Sequence, residues 1–295
     1  MKRKEILLLA VLYIAALSCG RETADNLSVE SNEIRVVATL PHTRATSDGF
    51  EPGDCMGVFA VEYDGATPVP LQIGGNWLNN EPFVCDGNTW TASRKVYWSD
   101  SACDFYAVYP HIKLNSIDAQ VFDIATDQTS AETGDALSGY EMSDLLWAKS
   151  ENITRSNDPV VLKFSHLMSR IVVKIVKGDK FEGNLPDDIS VHIYNTVTSA
   201  LVNIASGNLE RNPYGTKNTI SAKRLSGDTF TAIVVPQNLE RRTPLVEITM
   251  GGIAYLLDYS ISFRPGYQYV VQVIVNTSPD QEKIEISIDG AIQDW

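Results

Sequence analysis

Met56-Gly57-Val58-Phe59-Ala60-Val61 carries no polar side chain at any of its six positions. A short run that is apolar throughout reads like a buried strand. The same reading extends in both directions. Asp64-Gly65, Gly74-Gly75 and Asp86-Gly87 mark turns downstream. Trp90 to Trp98 and Asp104 to Tyr109 are further strands, the second closed by Pro110. Upstream, Ile34-Arg35-Val36-Val37-Ala38-Thr39-Leu40 is a strand ended by Pro41, and a mostly polar loop with Arg44 comes next. Short strands at roughly 8–12 residue spacing, punctuated by turns, predict an all-β sandwich.

Residues 116–158 show no convincing period; within them Asp144-Leu145-Leu146-Trp147-Ala148 is a short apolar island. Ser156-Asn157-Asp158-Pro159 is the best domain boundary, giving an N-terminal β domain over 33–158 and a C-terminal one over 159–295. The second half offers strands at 160–164, 171–176, 189–194, 200–204, 231–235, 245–250, 254–257 and 267–275. A short helix near Phe164–Arg170 competes with a strand there. In the last strand Ile284, Ile286 and Ile288 alternate with Glu285 and Ser287, so three isoleucines share one face. Each is worth roughly 1.5–3 kcal/mol when buried. That face therefore covers a core or fits a partner.

The chain begins with the basic head Met1-Lys2-Arg3-Lys4, and Ile6 to Ser18 form an apolar stretch of 13 residues. This has the anatomy of a secretory signal over residues 1–18 and is shorter than the ~20 residues of a spanning helix. Ala16-Leu17-Ser18-Cys19 resembles a bacterial lipobox, which would make Cys19 the lipidated first residue, followed by a polar tether over 19–32. The formal charge is −13. Loss of residues 1–18 removes Lys2, Arg3, Lys4 and Glu5 and leaves the remainder near −15. Such a surface repels nucleic acid and anionic headgroups, so membrane contact is expected only through the lipid on Cys19. Beyond Cys19 stand Cys55, Cys85 and Cys103, an odd set without metal-ligand spacing. They read as structural thiols, with at most one pair.

No residue pattern calls for catalysis, a metal or a cofactor. His42, His111, His166 and His192 fall in no metal or nucleophile signature. His166, in an apolar run, reads as a core or edge histidine. Asp123, Asp127, Glu132 and Asp135 read as a solvated loop. Trp77, Trp90, Trp98 and Trp147 read as core residues, while Trp295 could dock on its own domain or on a neighbour.

Several blocks, in order across about 250 residues, resemble the fimbrillin family of Bacteroidales pilus subunits. Thr43-Arg44-Ala45, Phe50, Gly53-Asp54 and Gly57-Val58-Phe59-Ala60 resemble its N-terminal block. Tyr97-Trp98 and Asp104-Phe105-Tyr106-Ala107-Val108-Tyr109-Pro110 resemble its aromatic block, and Asp144 to Ala148 its short island. Phe164 to Ile171, Val235-Pro236-Gln237 and Pro265-Gly266-Tyr267-Gln268-Tyr269 resemble its later signatures.

The resemblance implies two transthyretin-like antiparallel β-sandwich domains, export as a lipoprotein to the outer membrane surface, and no enzymatic activity. It implies cutting by a trypsin-like maturation protease after Arg44. The cut would release the strand bearing Ile34, Val36, Ala38 and Leu40, and a strand from another fimbrial subunit would fill the groove. Ile284, Ile286 and Ile288 are cast as the donor region. The alternative is a surface lipoprotein, a fimbrial tip adhesin included, that binds a glycan or host protein without polymerising; exposed aromatic residues on one rim would favour it.

Overall fold

A computed structural model of the chain describes residues 32–40, 49–131, 136–239, 243–258, 260–276 and 286–295, with the backbone alone described for 286–294. Cys19, Arg44 and Ile284 lie outside the described residues. The described chain is all-β apart from one helical turn.

The elements in the first half are β1 (Val36–Thr39), β2 (Cys55–Asp64), β3 (Thr67–Pro68), β4 (Leu78–Cys85), β5 (Trp90–Ala92), β6 (Cys103–Tyr109), β7 (Gln120–Asp123), α1 (Gly139–Met142), β8 (Leu146–Ile153), β9 (Val160–Lys163) and β10 (Ser165–His166). One large sheet runs β10-β8-β6-β2-β4-β5-β1-β9, with β3 hung on β2. The chain does not leave this sheet at Pro159, because β9 pairs with β1 and β10 with β8.

Two cores explain why β2 is apolar at every position. Met56, Val58 and Ala60 point into one core with Phe83, Trp98, Phe105 and Leu162. Phe59 and Val61, on the opposite face, point into a second core with Val108, Ile171 and Val271. Successive strand residues face opposite ways, so a strand between two cores has no polar side. β6 divides likewise: Cys103, Phe105, Ala107 and Tyr109 enter the first core, Tyr106 and Val108 the second. The apolar island is the start of β8 and alternates in the same way. Leu145 and Trp147 pack on the second core and Leu146 and Ala148 on the first.

The second half comprises β11 (Ser169–Lys177), β12 (Ser190–Val197), β13 (Ser199–Val202), β14 (Leu209–Arg211), β15 (Lys217–Ser221), β16 (Lys223–Ser226), β17 (Thr229–Val234), β18 (Asn238–Leu239), β19 (Pro244–Met250), β20 (Ile253–Asp258), β21 (Ile261–Ser262), β22 (Tyr267–Val275) and β23 (Ile286–Asp294). Two sheets, β16-β17-β11-β22-β23 and β15-β12-β19-β20, enclose the second core. Ile171, Val173, Val271 and Val273 come from the first, Val191, Ile193, Val246 and Ile248 from the second. β7, from the first half of the chain, pairs with β13 from the second.

Phe164–Arg170 is not helical: β10 and the start of β11 occupy it. The ladder of β11 with β17 and β22 absorbs the β-branched run Ile171-Val172-Val173, which is stiff in a helix and suited to a pleated sheet. The helical turn is α1, inside the stretch without period. Its signal is local: Ser138 Oγ accepts from the Glu141 amide (3.3 Å) and the Glu141 carboxylate from the Ser138 amide (3.0 Å), a reciprocal cap.

Candidate strand-exchange interface

The family resemblance casts two segments in strand exchange, and the structure places them differently. β1 is an internal strand. It pairs antiparallel with β5 at Val36↔Trp90 and parallel with β9 from Val36↔Val160 to Thr39↔Lys163. Its side chains alternate: Ile34 and Val36 are buried in the first core, Ala38 and Leu40 pack against that core, and Arg35, Val37 and Thr39 are exposed. Neighbouring backbone is committed to it. The amides of Val160 and Phe164 donate to the Arg35 and Thr39 carbonyls (both 2.8 Å), the Trp98 amide to the Asn32 carbonyl (2.8 Å), and the Ile34 amide to the Val96 carbonyl (2.9 Å). Beyond the strand, Phe50 meets Trp90, Tyr109 and Phe164 edge-on, with ring centroids 5.0, 5.3 and 5.5 Å away. Phe50 thus packs against the first core.

β23 is an edge strand. It pairs with β22 alone, antiparallel over nine positions from Tyr267↔Asp294 to Val275↔Ile286. Ile286 and Ile288 lie opposite Val275 and Val273. The strand runs on to Asp294, past the 284–288 expected from alternation.

Trp295 comes directly after β23 and is buried in its own chain. Its amide donates to the Gly266 carbonyl (2.8 Å). Its ring stacks on His166 (3.9 Å between centroids, 17° between planes), with the Arg170 guanidinium 5.3 Å from its centroid. His166 Nδ1 is 2.9 Å from Asp144 Oδ1, and Arg170 Nε donates to Gln268 Oε1 (2.6 Å). His166 is an edge histidine with a carboxylate partner. The seat joins β10, β11, β22 and the segment after α1, a convergence of residues far apart in sequence.

The remaining polar groups are structural. Buried Asp104 accepts from the Tyr63 hydroxyl (2.9 Å) and the Asn152 amide (2.8 Å), and Lys149 Nζ is 3.5 Å from its other oxygen. This is a paired buried carboxylate, as burial of charge demands. An open cleft of about 430 Å³ beside it is lined by Tyr63, Gly65, Ala66, Ser101, Ala102 and Asn152, with no second carboxylate among them. Asp127 accepts from the Thr129 amide and hydroxyl, and these bonds hold its carboxyl below the usual range. No metal-binding cluster of His, Cys, Asp or Glu occurs among the described residues.

Cys55, Cys85 and Cys103 are free thiols. Burial, with Glu62 and Asp104 nearby, pushes the Cys103 thiol up to about 11; burial and the Asp54 charge raise Cys55. Both are therefore poor nucleophiles. Trp90 and Trp98 are core residues as expected, and half-buried Trp147 donates its indole N–H to the Ile204 carbonyl (2.7 Å). Trp77 departs from the expectation. It is 41% exposed, its indole N–H donates to the Tyr97 carbonyl (2.8 Å), and Tyr97 is itself 46% exposed.

A family profile described as fimbrillin-like matches residues 43–295. No curated protein matches. Among solved structures, a candidate cell adhesion protein from Bacteroides uniformis is 20% identical, with a TM-score of 0.64 over 89% of this chain and 98% of its own. Another from Bacteroides ovatus is 16% identical, with a TM-score of 0.66 over 89% of this chain and 97% of its own. A fimbrial protein from Bacteroides ovatus is 18% identical, with a TM-score of 0.52 over 84% of this chain and 50% of its own. At these identities the likeness is one of fold.

Proposed function

We propose that this chain, which belongs to the fimbrillin-like family of non-catalytic subunits of surface fimbriae, joins its fibre by protease-triggered donor-strand exchange. It is exported by the lipoprotein route and held at the outer membrane surface through lipid on Cys19. A trypsin-like protease cuts after Arg44 and frees the segment that carries Ile34, Val36, Ala38 and Leu40. A strand from a neighbouring subunit, drawn from the region of Ile284, Ile286 and Ile288, takes its place. The two halves are read as transthyretin-like sandwiches, 33–158 and 159–295, with 160–166 counted in the first half's sheet.

The observation that carries this reading is the internal position of β1. Its departure would uncover Trp90, Val160 and Leu162, which line the first core. It would also strip the Val160, Phe164 and Trp98 amides and the Val96 carbonyl of their partners. Each backbone group left unsatisfied in a buried site costs about 1–3 kcal/mol, so the emptied groove favours an incoming strand with alternating apolar side chains. Such a contact is head-to-tail and does not close on itself, which is the symmetry of a fibre.

Digestion of the folded lipoprotein with a trypsin-like protease tests this. The expected result is a new N-terminus at Ala45 followed by a ladder of denaturation-resistant oligomers, both lost in Arg44→Ala. An intact Arg44–Ala45 bond, or cutting without oligomers, would refute the mechanism.

A second reading, a non-polymerising binder of glycan or host protein, draws support from the exposed Trp77–Tyr97 pair. It requires retention on a glycan or host-cell surface that Trp77→Ala abolishes, together with no oligomer after digestion.

A further inference from the structure

We infer that the free edge of β20 is a self-association surface, on which a second copy of this chain pairs its own β20 antiparallel about Leu256. Among the described residues β20 ends the sheet β15-β12-β19-β20 and has β19 as its one strand partner. An edge strand offers a row of backbone donors and acceptors to any extended chain, and folded proteins blunt such edges with Lys, Arg, Pro or bulges. Two other edges of these sheets are blunted in that way. β15, at the far side of the same sheet, carries Lys217, and its pairing with β12 is bulged between Ile193 and Thr196. β16 carries Lys223 and Arg224 and a register shift between Arg224 and Ser226.

β20 carries no Lys, Arg or Pro, and the register shift in its ladder, between Pro244 and Val246, falls at its Asp258 end, away from Ile253 to Leu256. It reads Ile-Ala-Tyr-Leu-Leu-Asp, with Ile253 43% and Leu256 56% exposed. Its start is fixed by the two-residue turn Gly251-Gly252, both at positive φ (58° and 76°), so the edge is presented in a tight hairpin. The inward residues are already committed: Leu257 is buried and Tyr255 packs against the second core. The outward residues Ala254, Leu256 and Asp258 are exposed.

These side chains favour a second copy as the occupant. In a two-fold antiparallel ladder centred on Leu256, the two Leu256 side chains meet, Tyr255 lies opposite Leu257, and each Asp258 lies opposite Ala254. No like charges face each other, and the most exposed apolar group is covered. A parallel arrangement in register would set Asp258 beside Asp258, which is destabilising. One strand edge is well below the ~1,200 Å² of a stable interface, so a single pair is weak and gains strength where many copies are held on one surface. The whole chain carries −13, so screening by salt strengthens this contact. Salt would weaken the capture of a basic strand from another protein.

Pairing through β20 is independent of strand exchange. The test is disulfide trapping of the full-length lipoprotein in detergent, comparing Leu256→Cys with Leu225→Cys. Leu225 is 49% exposed on the basic edge strand β16. Both sites are surface positions, and unchanged melting confirms the fold. The expected result is a covalent dimer through position 256 at least tenfold faster than through 225, faster still at 0.5 M than at 0.05 M salt (roughly 4 Å against about 14 Å of screening length). Equal rates at the two positions, or trapping at 256 that slows with salt, would overturn it.

Discussion

β1 and β23, the segments that the proposed exchange would release and lend, differ in their surroundings. β1 is four residues long, flanked on both sides, and sends Val36 into a core, with Ile34 buried just ahead of it. β23 is nine residues long and flanked on one side only. Removing an internal strand leaves two neighbours unpaired and opens a core; removing an edge strand leaves one. Loss of β1 leaves an enclosed groove beside the first core, whereas loss of β23 leaves an open edge on β22. What holds β23 more firmly than an ordinary edge is the seat of Trp295, built from His166, Arg170 and the Gly266 carbonyl.

The comparison breaks most decisively at Val36. Val36→Asp places an unpaired carboxylate in the first core, at a cost of several kcal/mol. The first sheet is expected to unfold at lower denaturant while the β11–β17 ladder keeps its protected amides. A peptide spanning 34–40 added in excess is expected to restore part of the loss. A single cooperative loss of both regions, with no rescue, would mean that β1 is not a separable part.

At the other pole, Trp295→Ala removes a buried aromatic ring, about 3 kcal/mol at the lower end of such truncations. The effect is expected to be local: faster amide exchange along β22 and β23, with β11 and β17 unchanged. His166→Phe keeps a ring to stack on and is expected to recover much of the protection. Should Trp295→Ala leave exchange in β22 unaltered, the seat does not hold the strand.

A finer probe acts through the support behind that seat. Ser138→Ala removes the cap of α1, just before Asp144, and is expected to cost about 1 kcal/mol, read as a small fall in melting temperature. Its effect on β23 exchange is expected to be smaller than that of Trp295→Ala.

The smallest effect concerns the first core at high pH. The Cys103 thiol is pushed up to about 11 by burial, above the ordinary range near 8.5. The folded state therefore keeps the proton that the unfolded chain gives up. The stabilising contribution is full below about pH 8.5 and is lost as pH rises toward about 11. Denaturant midpoints should fall over that window less steeply in Cys103→Ala than in the parent. Alkylation of the native protein should reach half-buried Cys55 before Cys103.

Much of the fold was legible because burial on both faces writes itself into a strand as an uninterrupted apolar run. Met56–Val61 and Phe105–Tyr109 show this and stand close to where the residues placed them; Tyr267–Val275 does so too, although Gln268 and Gln272 interrupt it. β4 was not legible, because Asn79, Asn80 and the buried Glu81 interrupt its apolar positions and Val84 is exposed. Trp90–Trp98 shortened to β5, since Tyr97 meets Glu33 through a single isolated bridge rather than a continuous ladder. Of the candidate interface, the alternation of Ile34, Val36, Ala38 and Leu40 was visible in advance. The capture of Trp295 by His166 and Arg170 was not, because stacking between residues well over a hundred positions apart leaves no local period.

Alternation and turn chemistry are properties of neighbouring residues, so the sequence by itself determined that this chain is built of strands, which faces of them are apolar, and which family it resembles. Which strand is internal and which lies at an edge depends on partners distant in the chain. Only the tertiary structure decided that β1 is enclosed, that β23 and β20 are not, and that Trp77 is at the surface. Hydrogen-bond pairing between strands is set by where the folded chain brings their backbones together, and every residue but proline carries the same donor and acceptor for it.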